Sequence, residues 1–228
     1  MPKKVVGYEK IRLGRESDGG YVLINDFSRV GAALSFGISN DVSWDLDIAQ
    51  RNIRVHQFDH TIGKAPVDNA MFSFHRQRVA ATDGLGAISL NSTVRNFLAG
   101  CDRAILKIDI EGDEWAAFHA ASVATLARFS QIVCEFHELG EAGIASRSEL
   151  FLTVLNKLRS IFEVVHVHGN NHQPFVNIAD IVLPAVLEVT FANRNYFQFT
   201  DTDEIFPTPL DRPNDPDLPD MPLGRFKF

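Results

Sequence analysis

Short apolar runs alternate with helix-like stretches along this chain, and most of the runs close on polar residues. The strongest run is Ala104-Ile-Leu-Lys-Ile-Asp-Ile110, whose composition suits a strand buried on both faces. Residues 33–36, 53–58, 71–79, 131–136, 162–167 and 187–191 read the same way. Between them the sequence predicts helices over 42–51, 92–99, 113–127 (with a break near Ser122) and 146–161. In the last of these, Ser146 and Glu149 stand at capping-box spacing, and Phe151, Val154, Leu155 and Leu158 line one face. Strands alternating with helices build an α/β fold, a mainly parallel sheet covered on both faces. Such sheets gather ligands outside the carboxyl ends of their strands. Polar residues stand at those ends: 37–41, Asp59 and His60, Asp83 and Gly84, 109–113, 135–138 and 168–172.

Composition narrows the classes. Twenty-two basic against 29 acidic residues give a net charge of −7, and the basic residues do not cluster, which argues against a nucleic-acid partner. No apolar run approaches the roughly 18 residues of a membrane span. Cys101 and Cys134 are too few for a disulfide framework and sit beside apolar runs, as buried thiols do. The start, Met-Pro-Lys-Lys-Val-Val-Gly, lacks the apolar stretch of a secretory signal, so a reducing cytoplasm is expected. The expected organisation is one domain over 1–200, including an N-terminal extension over 1–30 turned at Asp18-Gly19-Gly20, followed by an arm over 201–228. That arm holds six of the ten prolines, which excludes a helix or central strand. Phe206, Leu210, Leu218, Met221, Leu223, Phe226 and Phe228 give it apolar surface to bury over the mouth or rim of the sheet.

Three strand ends carry chemistry. Gly37 lets a ligand approach the backbone, and the helix after it offers free N–H groups; a plain strand-to-helix turn is the alternative. The G-x-G-x-x-G fingerprint is absent, which disfavours a dinucleotide and suits a neutral or zwitterionic nucleoside ligand. Asp59 stands where doubly wound folds grip ribose hydroxyls. Asp109 interrupts an apolar run, and Glu111, Asp113 and Glu114 crowd further negative charge beside it. A sulfonium centre or a divalent metal would neutralise that charge, although Asp113 and Glu114 also suit the first turn of a helix.

The runs 35–47 (Ser-Phe-Gly-Ile-Ser-Asn-Asp-Val-Ser-Trp-Asp-Leu-Asp), 57–61 (Gln-Phe-Asp-His-Thr) and 106–115 (Leu-Lys-Ile-Asp-Ile-Glu-Gly-Asp-Glu-Trp) resemble the FkbM-type family of S-adenosylmethionine-dependent methyltransferases. So do Asp-Gly-Gly-Tyr-Val (18–22), His-Gly-Asn-Asn (168–171), Leu-Glu-Val-Thr-Phe (187–191) and Leu-Asp-Arg-Pro-Asn-Asp-Pro (210–216). The resemblance implies a Rossmann-like class I methyltransferase sheet of seven strands, the last antiparallel. It implies S-adenosylmethionine as cofactor and O-methylation of a hydroxyl on a sugar, glycoside or natural product. By position, Gly37, Ser39 and Asp41 would lie by the methionine part, Asp59 and His60 by the ribose, Asp83 by the adenine, and Asp109 near the reacting methyl. One segment departs from the family: Phe58-Asp-His-Thr-Ile62 stands where the family often has Phe-Asp-Pro-Thr-Pro.

Methyl transfer to a hydroxyl needs a base or a metal that lowers the hydroxyl pKa. His137 and His168 are the candidate bases, and Asp109, Glu135 and His137 are the ligands a divalent ion would accept. Two other classes stay open. A metal-dependent hydrolase would use the same carboxylates and histidines but leave Gly37 and Asp59 idle. A non-catalytic nucleoside-binding module would leave Asp109 and His137 without a role.

Overall fold

The computed structural model describes residues 1–226. Its centre is a seven-stranded sheet: β1 (Ala32–Phe36), β2 (Arg54–Phe58), β3 (Phe72–His75), β4 (Ala104–Ile108), β5 (Phe129–Phe136), β6 (Phe162–Gly169) and β7 (Leu187–Asn193). The spatial order is β6-β7-β5-β4-β1-β2-β3. All pairings from β3 across to β5 are parallel, and β7 runs antiparallel to both β5 and β6. This is the Rossmann-like sheet with a reversed last strand that the resemblance implies.

The helices are α1 (Ser43–Ala49), α2 (Leu90–Phe97), α3 (Glu114–Ala120), α4 (Val123–Leu126) and α5 (Ala145–Arg159). Ser122 separates α3 from α4 because its hydroxyl accepts the Thr125 N–H at 3.0 Å and starts a new helix. The expected capping box at Ser146 is corrected. Ser148 N–H already bonds to Ile144 O at 2.8 Å, so Ser146 lies inside the first turn, and no side chain caps this helix. The single strand expected over 71–79 is two, β3 and Arg78–Ala80, separated by a turn in which Gln77 N–H bonds to His75 O.

Period two sorts β4 onto two cores. Ala104, Leu106 and Ile108 join the larger core, with Trp115 and Phe118 of α3 and Val154 and Leu158 of α5. Ile105 joins the opposite core, with Trp44 and Ile48 of α1 and Tyr21 and Leu23 of an N-terminal hairpin. That hairpin pairs Lys10–Leu13 with Tyr21–Ile24 and is pinned to the sheet where Gln131 bonds the backbone of Ile24 and Thr190 bonds Val22 O. Lys107 and Asp109 share the side of Ile105, so both are directed towards the hairpin.

The C-terminal arm folds against the sheet beside β6 and β7. Phe206 and Met221 are buried, whereas Leu218 is exposed. Asp211 takes His166 at 2.7 Å, Asp220 takes His168 at 2.9 Å, and Asn214 bonds Glu188 at 2.7 Å and Asp18 at 3.1 Å. Phe228, counted with the arm's apolar residues, lies outside the described residues. No helix among the described residues is long and apolar enough to cross a membrane.

Candidate functional site

A cleft of about 450 Å³ opens at the carboxyl ends of β1, β2 and β4. Gly37, Ser39, Asp41, Asp59, His60 and Asp109 all line it. Gly37 has φ +71°, and a Cβ there would sit 1.6 Å from the Asp109 carbonyl oxygen. The glycine is therefore required by the close approach of the backbone after β1 to the backbone after β4, a reason internal to the fold.

Asp59 is buried and mostly engaged. Its Oδ2 accepts Ser39 N–H at 2.8 Å, and its Oδ1 accepts both the N–H and hydroxyl of Thr61 at 2.7 and 2.6 Å. Desolvation works against its charge, but these bonds outweigh it and hold the carboxyl below its usual range. Each carboxylate oxygen accepts about two hydrogen bonds, so one acceptor position on Oδ2 is left for a ligand. Asp41 is likewise turned to its own loop, accepting Ser43 N–H and hydroxyl, and pairs with Arg15 at 3.4 Å.

Several cleft residues carry no mark in the sequence expectations. Lys107 is buried on the cleft floor, donates to Gly37 O at 2.8 Å and lies 3.9 Å from Asp109. A lysine inside an apolar run, two residues before Asp109, was the available signal. Trp44 also lines the cleft, and its buried indole N–H has no partner among the described residues. Burial pushes the neighbouring Asp45 up to about 6, against the pull of Lys107 and the bond from Gln57. Arg78 closes one rim by a two-pronged bond to Asp113 at 2.6 and 2.7 Å.

Beside the cleft lies a second cavity of about 560 Å³, which shares Asp18, Asp109 and Glu111 with it. Its inner wall joins the predicted residues of β4 and β5. Tyr21 donates to Asp109 Oδ2 at 3.0 Å. His137 Nε2 stands 4.0 Å from Asp109, 4.0 Å from Glu135 and 3.5 Å from Glu111. On its other side His137 Nδ1 meets Glu114 at 3.1 Å. Glu114 is fully buried and fixed by the N–H groups of Ile110 and Gly112, so it sets the ring's orientation and leaves Nε2 facing the cavity. Burial lowers the His137 pKa, but the Glu114 bond and the charges of Glu114, Asp109 and Glu111 outweigh it, and the net direction is upward. Asp109 and Glu135 are both raised, first by burial and for Glu135 also by Asp109. The ligating atoms of Asp109, Glu135 and His137 lie within 4.8 Å of one another.

Two expected positions are corrected. Asp83 lines neither cavity; its carboxylate accepts Ser89 N–H at 2.8 Å and the Ser92 hydroxyl at 2.6 Å, holding the start of α2. Gln77, Arg78 and Val79 form that side of the cleft instead. His168 is 1% exposed, and both ring nitrogens are taken, by Glu188 at 3.1 Å and Asp220 at 2.9 Å. It has no nitrogen free to act as a base.

No protein-family model matches the chain, and no curated protein sequence does either. Among solved structures the chain is similar to that of a fibrillarin/Nop5p complex, at 12% identity over 74% of each chain, with a TM-score of 0.45. It is also similar to magnesium protoporphyrin IX methyltransferase of Synechocystis PCC 6803 with bound SAH, at 12% identity, 73% of this chain, 75% of that one and a TM-score of 0.39. A third is an S-adenosylmethionine dependent methyltransferase of Mesorhizobium loti, at 12% identity, 72% of this chain, 92% of that one and a TM-score of 0.37. The strand order and the antiparallel β7 define the fold.

Proposed function

We propose that the chain is an S-adenosylmethionine-dependent O-methyltransferase of the FkbM type, acting on a hydroxyl of a sugar, glycoside or natural product. The observation that carries this reading is the junction of the two cavities: a strand-end cleft walled by Gly37, Ser39 and Asp59 meets His137 and Asp109. The cleft's donor set fits the cofactor. The buried Trp44 N–H lacks a partner, Lys107 and Arg15 bring positive charge for a carboxylate, and Asp59 keeps one acceptor position for a ribose hydroxyl. Gly37, Ser39 and Asp41 would hold the methionine part, with His60 beside the ribose and 77–79 along the base. When bound, the cofactor supplies an electrophilic sulfonium methyl, whose transfer to a hydroxyl leaves a neutral thioether and a proton.

His137 is the residue placed to take that proton at Nε2, because Glu114 engages Nδ1 from behind. Asp109, fixed by Tyr21, orients the acceptor. The convergence of Asp109, Glu135 and His137 supports a second version, in which a divalent ion lowers the hydroxyl pKa at the same place. The hydrolase and binding-module readings each leave one of the two adjoining cavities without a role.

Calorimetry with S-adenosylhomocysteine and, separately, NAD tests the cofactor, and labelled S-adenosylmethionine with a panel of hydroxylated sugars and glycosides tests the reaction. Binding of the first ligand alone and label transfer to an oxygen are expected. Absence of S-adenosylhomocysteine binding by the folded chain would overturn the reading. With an acceptor in hand, His137→Gln lowers kcat by about 100- to 10,000-fold while cofactor affinity holds. Loss of activity in EDTA that magnesium restores selects the metal version.

A further inference from the structure

The second cavity has an unbalanced wall. It carries six carboxylates, from Asp18, Asp109, Glu111, Glu135, Glu138 and Glu141, and neither a lysine nor an arginine lines it among the described residues. Towards the outside, Arg147 pairs with Glu138 and, at 2.6 Å, with Glu141. The inner half has much less compensation. Lys107 reaches Asp109 from the cleft floor at 3.9 Å, and the His137 ring faces Asp109, Glu111 and Glu135 together. Asp18 is held by Asn214, a neutral group.

Glu135 adds an independent sign. Its side chain is only 4% exposed, and one oxygen accepts from Asn170 at 2.5 Å and is the oxygen nearest His137. The other oxygen has no hydrogen-bond partner among the described residues, although Glu135 lines the cavity. That oxygen, carried on a buried side chain and open to the cavity, is free to take a hydrogen-bond donor or a cation from whatever fills the cavity. An incoming phosphate or carboxylate would instead meet the acidic side chains of Asp18, Asp109, Glu111 and Glu135, with His137 but no lysine or arginine among the described lining residues to receive it.

Resting on the methyltransferase reading, we infer that this cavity takes its acceptor together with a positive charge and refuses anionic acceptors. The charge is either the acceptor's own ammonium, as in an amino sugar or amino alcohol, or a divalent ion carried on adjacent acceptor oxygens. Asp18, Glu135 and Asp109 surround the place where it would sit. Glu111, exposed on the rim, adds to the discrimination.

The test uses the full chain and a matched set of glycosides: a neutral parent, its 2-amino-2-deoxy counterpart, its 6-phosphate and its uronate. Binding is followed by saturation-transfer NMR and calorimetry, with and without S-adenosylhomocysteine, in EDTA and in magnesium. Two results support the inference and separate the two sources of charge. With ammonium as the source, the amino glycoside binds about tenfold or more tighter than the parent in EDTA. With a metal as the source, the parent binds only in magnesium. In both cases the phosphate and uronate bind at least about tenfold more weakly than the favoured ligand, and Glu111→Gln narrows that gap severalfold. The inference is overturned if the phosphate or uronate matches the favoured ligand. It is equally overturned if the parent binds in EDTA as tightly as the amino compound and magnesium changes nothing, or if no member binds. The samples without S-adenosylhomocysteine score the cavity's charge preference by itself, so failure of the cofactor reading would appear separately, as absent S-adenosylhomocysteine binding.

Discussion

His168 offers a sharp energetic test, because it stands between two parts of the chain that sequence order keeps far apart. It sits near the end of β6, with Glu188 of β7 on one ring nitrogen and Asp220 of the C-terminal arm on the other. Burial opposes its charge, but the Glu188 charge and the bonds to Asp220 and Glu188 overcome that cost and push its pKa to about 10 from 6.5. A group whose pKa is raised on folding stabilises the native state fully below its unfolded pKa, and the contribution is lost as pH rises through the folded value. The window here runs from about 6.5 to about 10. At pH 7 the ring is protonated in the folded chain and mostly neutral in the unfolded one. With the folded pKa about three units above pH 7, and about 1.4 kcal/mol for each, the protonated ring contributes about 4 kcal/mol at that pH. That agrees with the roughly 3–5 kcal/mol lost when one member of a buried ion pair is removed.

His168→Gln keeps the size and some hydrogen bonding but removes the charge. For a chain of this length about 4 kcal/mol corresponds to a fall in Tm of roughly 8–16 °C. Urea unfolding at several pH values gives the sharper readout. The stability difference between the original chain and the variant should be largest near pH 6–7 and shrink steadily towards pH 10. Taking the difference removes the contribution of other titrating groups such as Asp45 and His137. A Tm loss below about 3 °C, or a difference that does not change with pH, would refute the charged clamp. Asp220→Asn, a milder change at a part-exposed position, should lose a smaller share with the same pH trend.

Asp59→Ala should weaken S-adenosylhomocysteine binding by about tenfold or more, the value of a hydrogen bond to a charged group, with calorimetry as the check; unchanged affinity in a folded variant removes Asp59 from the cofactor site. Asp83→Ala should lower Tm through the lost support of α2 yet leave cofactor affinity untouched, so a clear affinity loss would return Asp83 to the cleft. Ending the chain at residue 206 removes Asp211, Asn214 and Asp220, leaving His166 and His168 without their arm partners; a lower Tm is expected, and an unchanged one would show the arm to be dispensable.

The sheet was legible because its inner strands are buried on both faces, and such strands read as nearly unbroken apolar runs. The small hairpin Phe175–Ile178 with Ile181–Pro184 was not foreseen: Phe175, Ile181 and Val182 are exposed, so its apolar residues follow no buried face. Lys107 could have been read, since it shares the face of Asp109 at period two in the same run. Glu114 could be read only as a residue suited to a helix start. Its further role depends on turning back to Ile110 and Gly112 and on reaching His137 across 23 positions, a contact that neither spacing nor propensity encodes.

Position at a strand end therefore tells where a polar residue will be, but not whether it is free to act. That second question is answered by counting donors and acceptors. Asp59 sits in the cleft as expected, yet three of its hydrogen-bonding positions are spent on Ser39 and Thr61. His137 and His168 look alike in sequence, each closing a strand of the same sheet. Glu114 takes one nitrogen of His137 and leaves the other facing a cavity, whereas Glu188 and Asp220 take both nitrogens of His168. The partners that separate the two histidines arrive from 20 and 52 residues away, one of them on the proline-rich arm. The arm thus bears on the chemistry although none of its described residues lines either cavity: it engages His168 in structure and, through Asn214, holds Asp18 on the wall shared by both cavities.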